Sequence, residues 1–144
     1  MNDLYLIAHI NGACVGIESS VIESIVHVQD IVPVPNCDPS IAGLFALRSR
    51  VLTLIDAQFL VSGITRQAEK GALAVIVDVV GHQYGLLVDR VEDVVPIAAK
   101  HIERNIKPAK EWARLASQTA SVDGRLVMIV DTSVLVSGQD MLAA

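Results

Sequence analysis

Aromatic side chains are almost missing from this chain: two Phe, two Tyr and one Trp make up 3% of 144 residues, although 52% of the sequence is hydrophobic. A core without rings must be filled by Val, Ile, Leu and Ala, and that β-branched richness favours strands. Basic residues are also few, 11 Lys and Arg against 16 Asp and Glu, for a net charge of −5. No cluster of them has the density that phosphate neutralisation needs, so nucleic acid is not an expected partner. Two cysteines, Cys14 and Cys37, are too few for a disulfide framework. The longest apolar run, residues 72–80, is interrupted by Asp78 and falls far short of the ~20 residues of a membrane span. The opening MNDLYLIAH carries an acid where a signal peptide carries bases, which makes cytoplasmic location, without membrane insertion, the expectation. Phosphate-cradling glycine loops, GxSxG, HExxH and CxxC are all lacking, so no catalytic residue, metal or cofactor is expected.

What is present is a repeat. LRSRVLTLIDAQFLVSG (residues 47–63) aligns with VDGRLVMIVDTSVLVSG (122–138), so Arg50, Asp56, Leu60, Val61, Ser62 and Gly63 recur as Arg125, Asp131, Leu135, Val136, Ser137 and Gly138. Six identities in seventeen positions compare with about one by chance at average residue usage. Upstream, residues 10–26 align with 79–95, pairing Gly12 with Gly81, Gly16 with Gly85 and Glu23 with Glu92. With offsets of 69 and 75, the chain reads as a unit of about 70 residues made twice, in halves 1–66 and 72–138 of one domain. Each half alone is marginal in size, so a shared core is expected.

Along the chain, residues 4–10 and 14–18 flank Asn11-Gly12 and read as a β-hairpin, repeated over 79–88 around Gly81-His82. The spaced apolar segments that follow are ambiguous in period; they read as strands because Val and Ile dominate and a Pro closes each. Pro33, Pro35 and Pro39 make residues 31–40 an irregular connection. Residues 51–55 and 126–130 have the form of strands buried on both faces. Asp56 and Asp131 then read as N-caps of short helices ended by Gly63 and Gly138. A further helix over 109–117 would carry Trp112. About ten strands, five per half, and two or three short helices result.

Several residues invite a chemical reading. Cys14 could act as a nucleophile, but a strand position without a basic neighbour favours an inert thiol. His9, His27, His82 and His101 look dispersed, none within hairpin or helical spacing of a cysteine. Asp56 and Asp131 could form a carboxylate dyad, although capping explains them better. Asp89, Arg90, Glu92 and Asp93 read as a solvated strand face with an interaction role left open. Arg50 and Arg125 are expected to bond exposed carbonyls in equivalent turns. Arg48 breaks the repeat, because Asp123 stands in its place.

The ordered set Val15-Gly16-Ile17, Ile22-Glu23-Ser24-Ile25, Val32-Pro33-Val34-Pro35, Gly43-Leu44-Phe45-Ala46-Leu47-Arg48-Ser49 and Asp56 resembles the CheW family, adaptors that couple bacterial chemoreceptors to a histidine kinase. Tyr84-Gly85-Leu86-Leu87-Val88-Asp89 and Asp123-Gly124-Arg125-Leu126 resemble the same family's second-half elements. The chain departs from the family pattern at Ser24 (usually Glu), Ala46 (usually Asn) and Ser49 (usually Gly). The resemblance implies a mainly β fold of two five-stranded SH3-like barrels packed side by side, with no enzymatic activity. It also implies a groove for a methyl-accepting receptor's cytoplasmic tip at Ile22, Ser24, Arg48, Val88 and Val91. The kinase's regulatory domain would be met at Gly43 and Leu44. A decoy in another receptor-kinase system and, from a different class, a Cys/His enzyme are the rival readings.

Overall fold

The computed structural model describes residues 2–36, 39–65, 69–98, 101–103, 112 and 115–132. They form eleven strands: β1 (Asn2–Ile10), β2 (Ala13–Glu18), β3 (Ile22–Val28), β4 (Ile41–Leu47), β5 (Arg50–Ile55), β6 (Ala72–Val79), β7 (His82–Leu87), β8 (Arg90–Ala98), β9 (Ile102–Glu103), β10 (Ala116–Val122) and β11 (Arg125–Val130). One helix, α1 (Ala57–Ser62), follows β5. Asp56 caps it by accepting from the Phe59 N–H at 3.2 Å, and Gly63 ends it at φ 75°. The helix expected after Asp131 and most of the one expected over 109–117 fall outside the described residues; from Ala116 onward that stretch is strand.

The strands make two sheets, ordered β8-β1-β2-β11-β10-β9 and β3-β6-β7-β5-β4. Under the offsets of the repeat, β8, β1, β2, β11 and β10 correspond one for one to β3, β6, β7, β5 and β4. Neither sheet is a sequence half. Each half lends its opening hairpin to one sheet and its other three long strands to the other, joined by parallel pairs: Met128 with Val15 and Ile129 with Gly16, and Thr53 to Ile55 with Tyr84 to Leu86.

Both sheets must roll up. β8 and β9 are ends of one sheet, five strand spacings or ~24 Å apart if flat, yet only three residues lie between Ala98 and Ile102, four steps that reach ~14 Å at most. In the other sheet the chain leaving β3 returns four residues later to the open edge of β4, where Val32 and Leu44 exchange two backbone hydrogen bonds of 2.8 Å. The two sheets, one with a sixth short strand, are called the first and second barrels below.

Period-two alternation divides the side chains among three cores. Tyr5, Ile7, Val127 and Ile129 fill the first barrel, and Phe45, Leu52, Leu54, Ala74 and Ile76 the second. The opposite faces of the same strands, including Leu6, Ala8, Val15, Ile17, Val75, Val77, Tyr84, Leu86, Met128 and Val130, meet in the largest cluster, the seam between barrels. Strands with apolar residues on both faces thus read as continuous runs because each lies between a barrel and the seam. Gly16 and Gly85 recur for a packing reason: a Cβ at Gly85 would come within 2.8 Å of the Phe45 ring, and one at Gly16 within 3.2 Å of Val127.

Two details differ from expectation. The second hairpin turns at Val80-Gly81, one residue early, with φ of 53° and 81°. Pro96 closes no strand; it pairs with Leu4 inside β8, which tolerates it because β8 is an edge.

Candidate functional site

Ile22 in β3 and Val91 in β8 are related by the repeat, and both are half-buried hydrophobics packed on the rim of the seam core. Ser24 sits two residues along β3 and is also half-buried. The interior of the seam is filled by the protein's own side chains, which corrects the expectation for one residue. Val88, on the same face as Tyr84 and Leu86, is 1% exposed and belongs to the core, so it supports a groove from behind rather than lining one.

Arg48 and Ser49 form the two-residue turn between β4 and β5, with φ of 52° and 70°. Primed hairpin turns require such values and glycine or asparagine supplies them most easily. Arg48 is thereby held out in solvent. Gly43 and Leu44 lie beside the closure of the second barrel: Gly43 has φ 152°, and a Cβ there would meet the Val32 carbonyl oxygen at 2.7 Å. Leu44 is half-buried and gives its backbone N–H and C=O to Val32. Of the residues expected to meet a receptor, Ile22 and Ser24 lie on β3 and Val91 on β8, whereas Arg48 lies in the turn that ends β4, the strand carrying Gly43 and Leu44, which are expected to meet a kinase.

A second constellation escaped the sequence reading. Glu23 and Glu92 both lie in β-bulges. Glu23 is the extra residue between the Ile22–Val77 and Ser24–Ile76 pairs, and Glu92 with Asp93 opposes the single Ile7. A bulge re-aims its side chain, and here both carboxylates turn across an end of their barrel. In the first barrel, Arg125 grips Glu92 with two hydrogen bonds of 3.0 and 3.2 Å. His9 bonds the same carboxylate through Nε2. In the second, Arg50 lies 3.8 Å from Glu23, which also accepts from Gln83. Arg50 and Arg125 therefore do share a job, but it is to pair with a glutamate across the barrel end rather than to bond turn carbonyls.

The pairing sets the electrostatics. Hydrogen bonds from Arg125, then from His9, hold the Glu92 carboxyl well below its usual 4.5, at about 2. Arg125 is raised in turn, first by its hydrogen bond to Glu92. Cys14 stands beside them, its Sγ 3.5 Å from Arg125 Nη1 and 4.0 Å from the His9 ring nitrogens. Two expectations are corrected: Cys14 has a basic neighbour, and a histidine does lie at hairpin spacing from it. The signal was in the sequence, because a two-residue Asn-Gly turn fixes the register so that Ile10 faces Ala13 and His9 faces Cys14.

Two interlocked, rolled β-sheets, a packed seam with an aliphatic rim and paired charges across each barrel end define a scaffold built from a duplicated β unit. Over residues 4–140 the chain matches the family of CheW-like domains and belongs to it, a family of scaffolds rather than enzymes. It is 24% identical over 115 residues to the chemotaxis protein CheW of Thermotoga maritima, covering 80% of this chain and 75% of that protein. Its fold is shared with the crystal structure of a CheW scaffolding protein from Thermoanaerobacter tengcongensis, at a TM-score of 0.80 and 22% identity, covering 91% of this chain and 90% of the other. Among the described residues, no helix is long and apolar enough to cross a membrane.

Proposed function

We propose that this chain is a cytoplasmic adaptor that holds a histidine kinase's regulatory domain against the cytoplasmic tip of a methyl-accepting receptor. The observation that carries the reading is the CheW-like match along nearly the whole chain, residues 4–140. On the receptor side, Ile22 and Val91 offer aliphatic area on the seam rim, Ser24 and Arg48 add polar groups that fix register, and Val88 backs them from the core. That is the chemistry of helix-in-groove recognition. On the kinase side, Gly43 and Leu44 belong to a strand whose open edge at Leu44 is already used by Val32. A partner there meets side chains rather than adding a strand. Coupling needs no chemistry from the adaptor, only binding energy that differs between two receptor states.

The test is calorimetry and size-exclusion chromatography with a receptor-tip hairpin and a kinase regulatory domain. Both are expected to bind below ~100 μM, which corresponds to only about 5 kcal/mol, and to bind together in a ternary complex. Binding to neither would overturn the proposal. Mutually exclusive binding would replace the coupler by a decoy.

A further inference from the structure

We propose that His9, Cys14 and Glu92 form a binding site for a borderline-soft divalent cation of the zinc class at the end of the first barrel. Imidazole nitrogen, thiolate sulfur and carboxylate oxygen are the three ligand types that zinc takes. Here one ligand atom of each kind lies within 4.8 Å of the other two. Tetrahedral coordination at ~2.0–2.3 Å places ligand atoms ~3.3–3.8 Å apart; Cys14 Sγ, 4.0 Å from the His9 ring nitrogens, is already close to that spacing, while His9 and the Glu92 carboxylate, now hydrogen-bonded to each other, must part to admit the ion. The residues come from three adjacent strands, β1, β2 and β8, where ladder pairing fixes the backbone: His9 faces Cys14 on one side and Arg90 on the other. All three are half-buried, shielded from bulk water but within reach of an entering ion.

The sister barrel shows what closure alone requires. At the positions equivalent to His9, Cys14, Glu92 and Arg125 it carries Asp78, Gln83, Glu23 and Arg50. Asp78 accepts from the Gly81 N–H at 3.0 Å and Gln83 donates to Glu23. The Glu–Arg pair is common to both ends; imidazole and thiol are added only in the first. Arg125 is the competitor for Glu92, and a dication would displace it. Its side chain is 44% exposed and has room to leave, and Asp123 already acts on its charge from the adjoining turn. Binding expels the thiol proton and leaves imidazole neutral, which balances the charge of the incoming ion.

The site is independent of the adaptor reading, and Co(II) titrated into the full chain under a non-thiol reductant tests it. The expected result is one equivalent bound, with a thiolate-to-cobalt charge-transfer band and tetrahedral visible bands, both erased by Zn(II). Cys14→Ser should abolish the charge-transfer band while Cys37→Ser keeps it. His9→Gln should weaken binding at least ~10-fold, a loss that outer-shell changes already produce. Arg125→Gln, which leaves every ligand in place, should tighten it. Absence of the band in the unaltered chain, its survival in Cys14→Ser, or weaker binding by Arg125→Gln would overturn the proposal.

Discussion

The two barrel ends start from the same glutamate and arginine and finish as different surfaces. In the second barrel the pair is loose, at 3.8 Å, with an amide as third member; in the first it is bidentate and joined by an imidazole and a thiol. The shared part is what each barrel needs to join its ends across the bulge, since Glu and Arg sit three strand spacings apart in the sheet. The unshared part is free to diverge. Duplication thus separates structural necessity from local invention inside a single chain, without reference to any other protein.

The comparison can be broken hardest at the second barrel's closure. Gly43 and its counterpart Gln118 both adjoin register shifts in equivalent strands, but only Gly43 sits under a carbonyl. Gly43→Ala should cost about 2–4 kcal/mol in a urea denaturation midpoint, whereas Gln118→Ala should stay within about 0.5 kcal/mol. Next in size is the turn pair Asn11 and Val80, both at φ near 50°. A β-branched residue suffers most there, so Val80→Asn should raise stability by about 1–2 kcal/mol, and Asn11→Val should lose a similar amount. Ser49→Gly, which copies Gly124 of the sister turn, should gain less than about 1 kcal/mol, because glycine's freedom in the unfolded chain offsets part of the relief.

The subtlest contrast is one of pH. Glu92 has a folded-state value near 2, below its unfolded value of about 4.5, so its contribution is present above pH 4.5 and is lost as pH falls through 2. Thermal midpoints recorded across that window should fall less steeply for Glu92→Gln than for the unaltered chain. An identical slope would mean that the first barrel's tighter pair contributes nothing in solution.

Much of this architecture is legible in the sequence where local chemistry dictates it. Asn11-Gly12 specifies its hairpin, Asp56 and Gly63 bracket α1, and the apolar runs of β5 and β11 announce burial on two faces. β10 was unreadable because ASQTASV carries neither bulk nor clean alternation, and its place is set by pairing with β11. The exchange of hairpins was invisible for a deeper reason: two copies of one pattern fit either sheet equally well, so periodicity cannot say which partner a strand takes. Of the residues expected to line a groove, all named on the resemblance, Ile22 and Val91 are equivalent positions of the repeat. The burial of Val88 follows from counting in twos from Tyr84, and His9 meeting Cys14 follows from the turn. The two bulges that aim Glu23 and Glu92 leave no mark in composition at all.

The crossing of hairpins between sheets also makes the chain indivisible. Cut between α1 and β6, it would yield two fragments, each holding a hairpin cut off from its sheet and three strands without their neighbours, so neither could fold at high dilution and only recombination would restore both. A push on one barrel therefore cannot be absorbed by slippage at a boundary, since the backbone itself is stitched through that boundary from both sides.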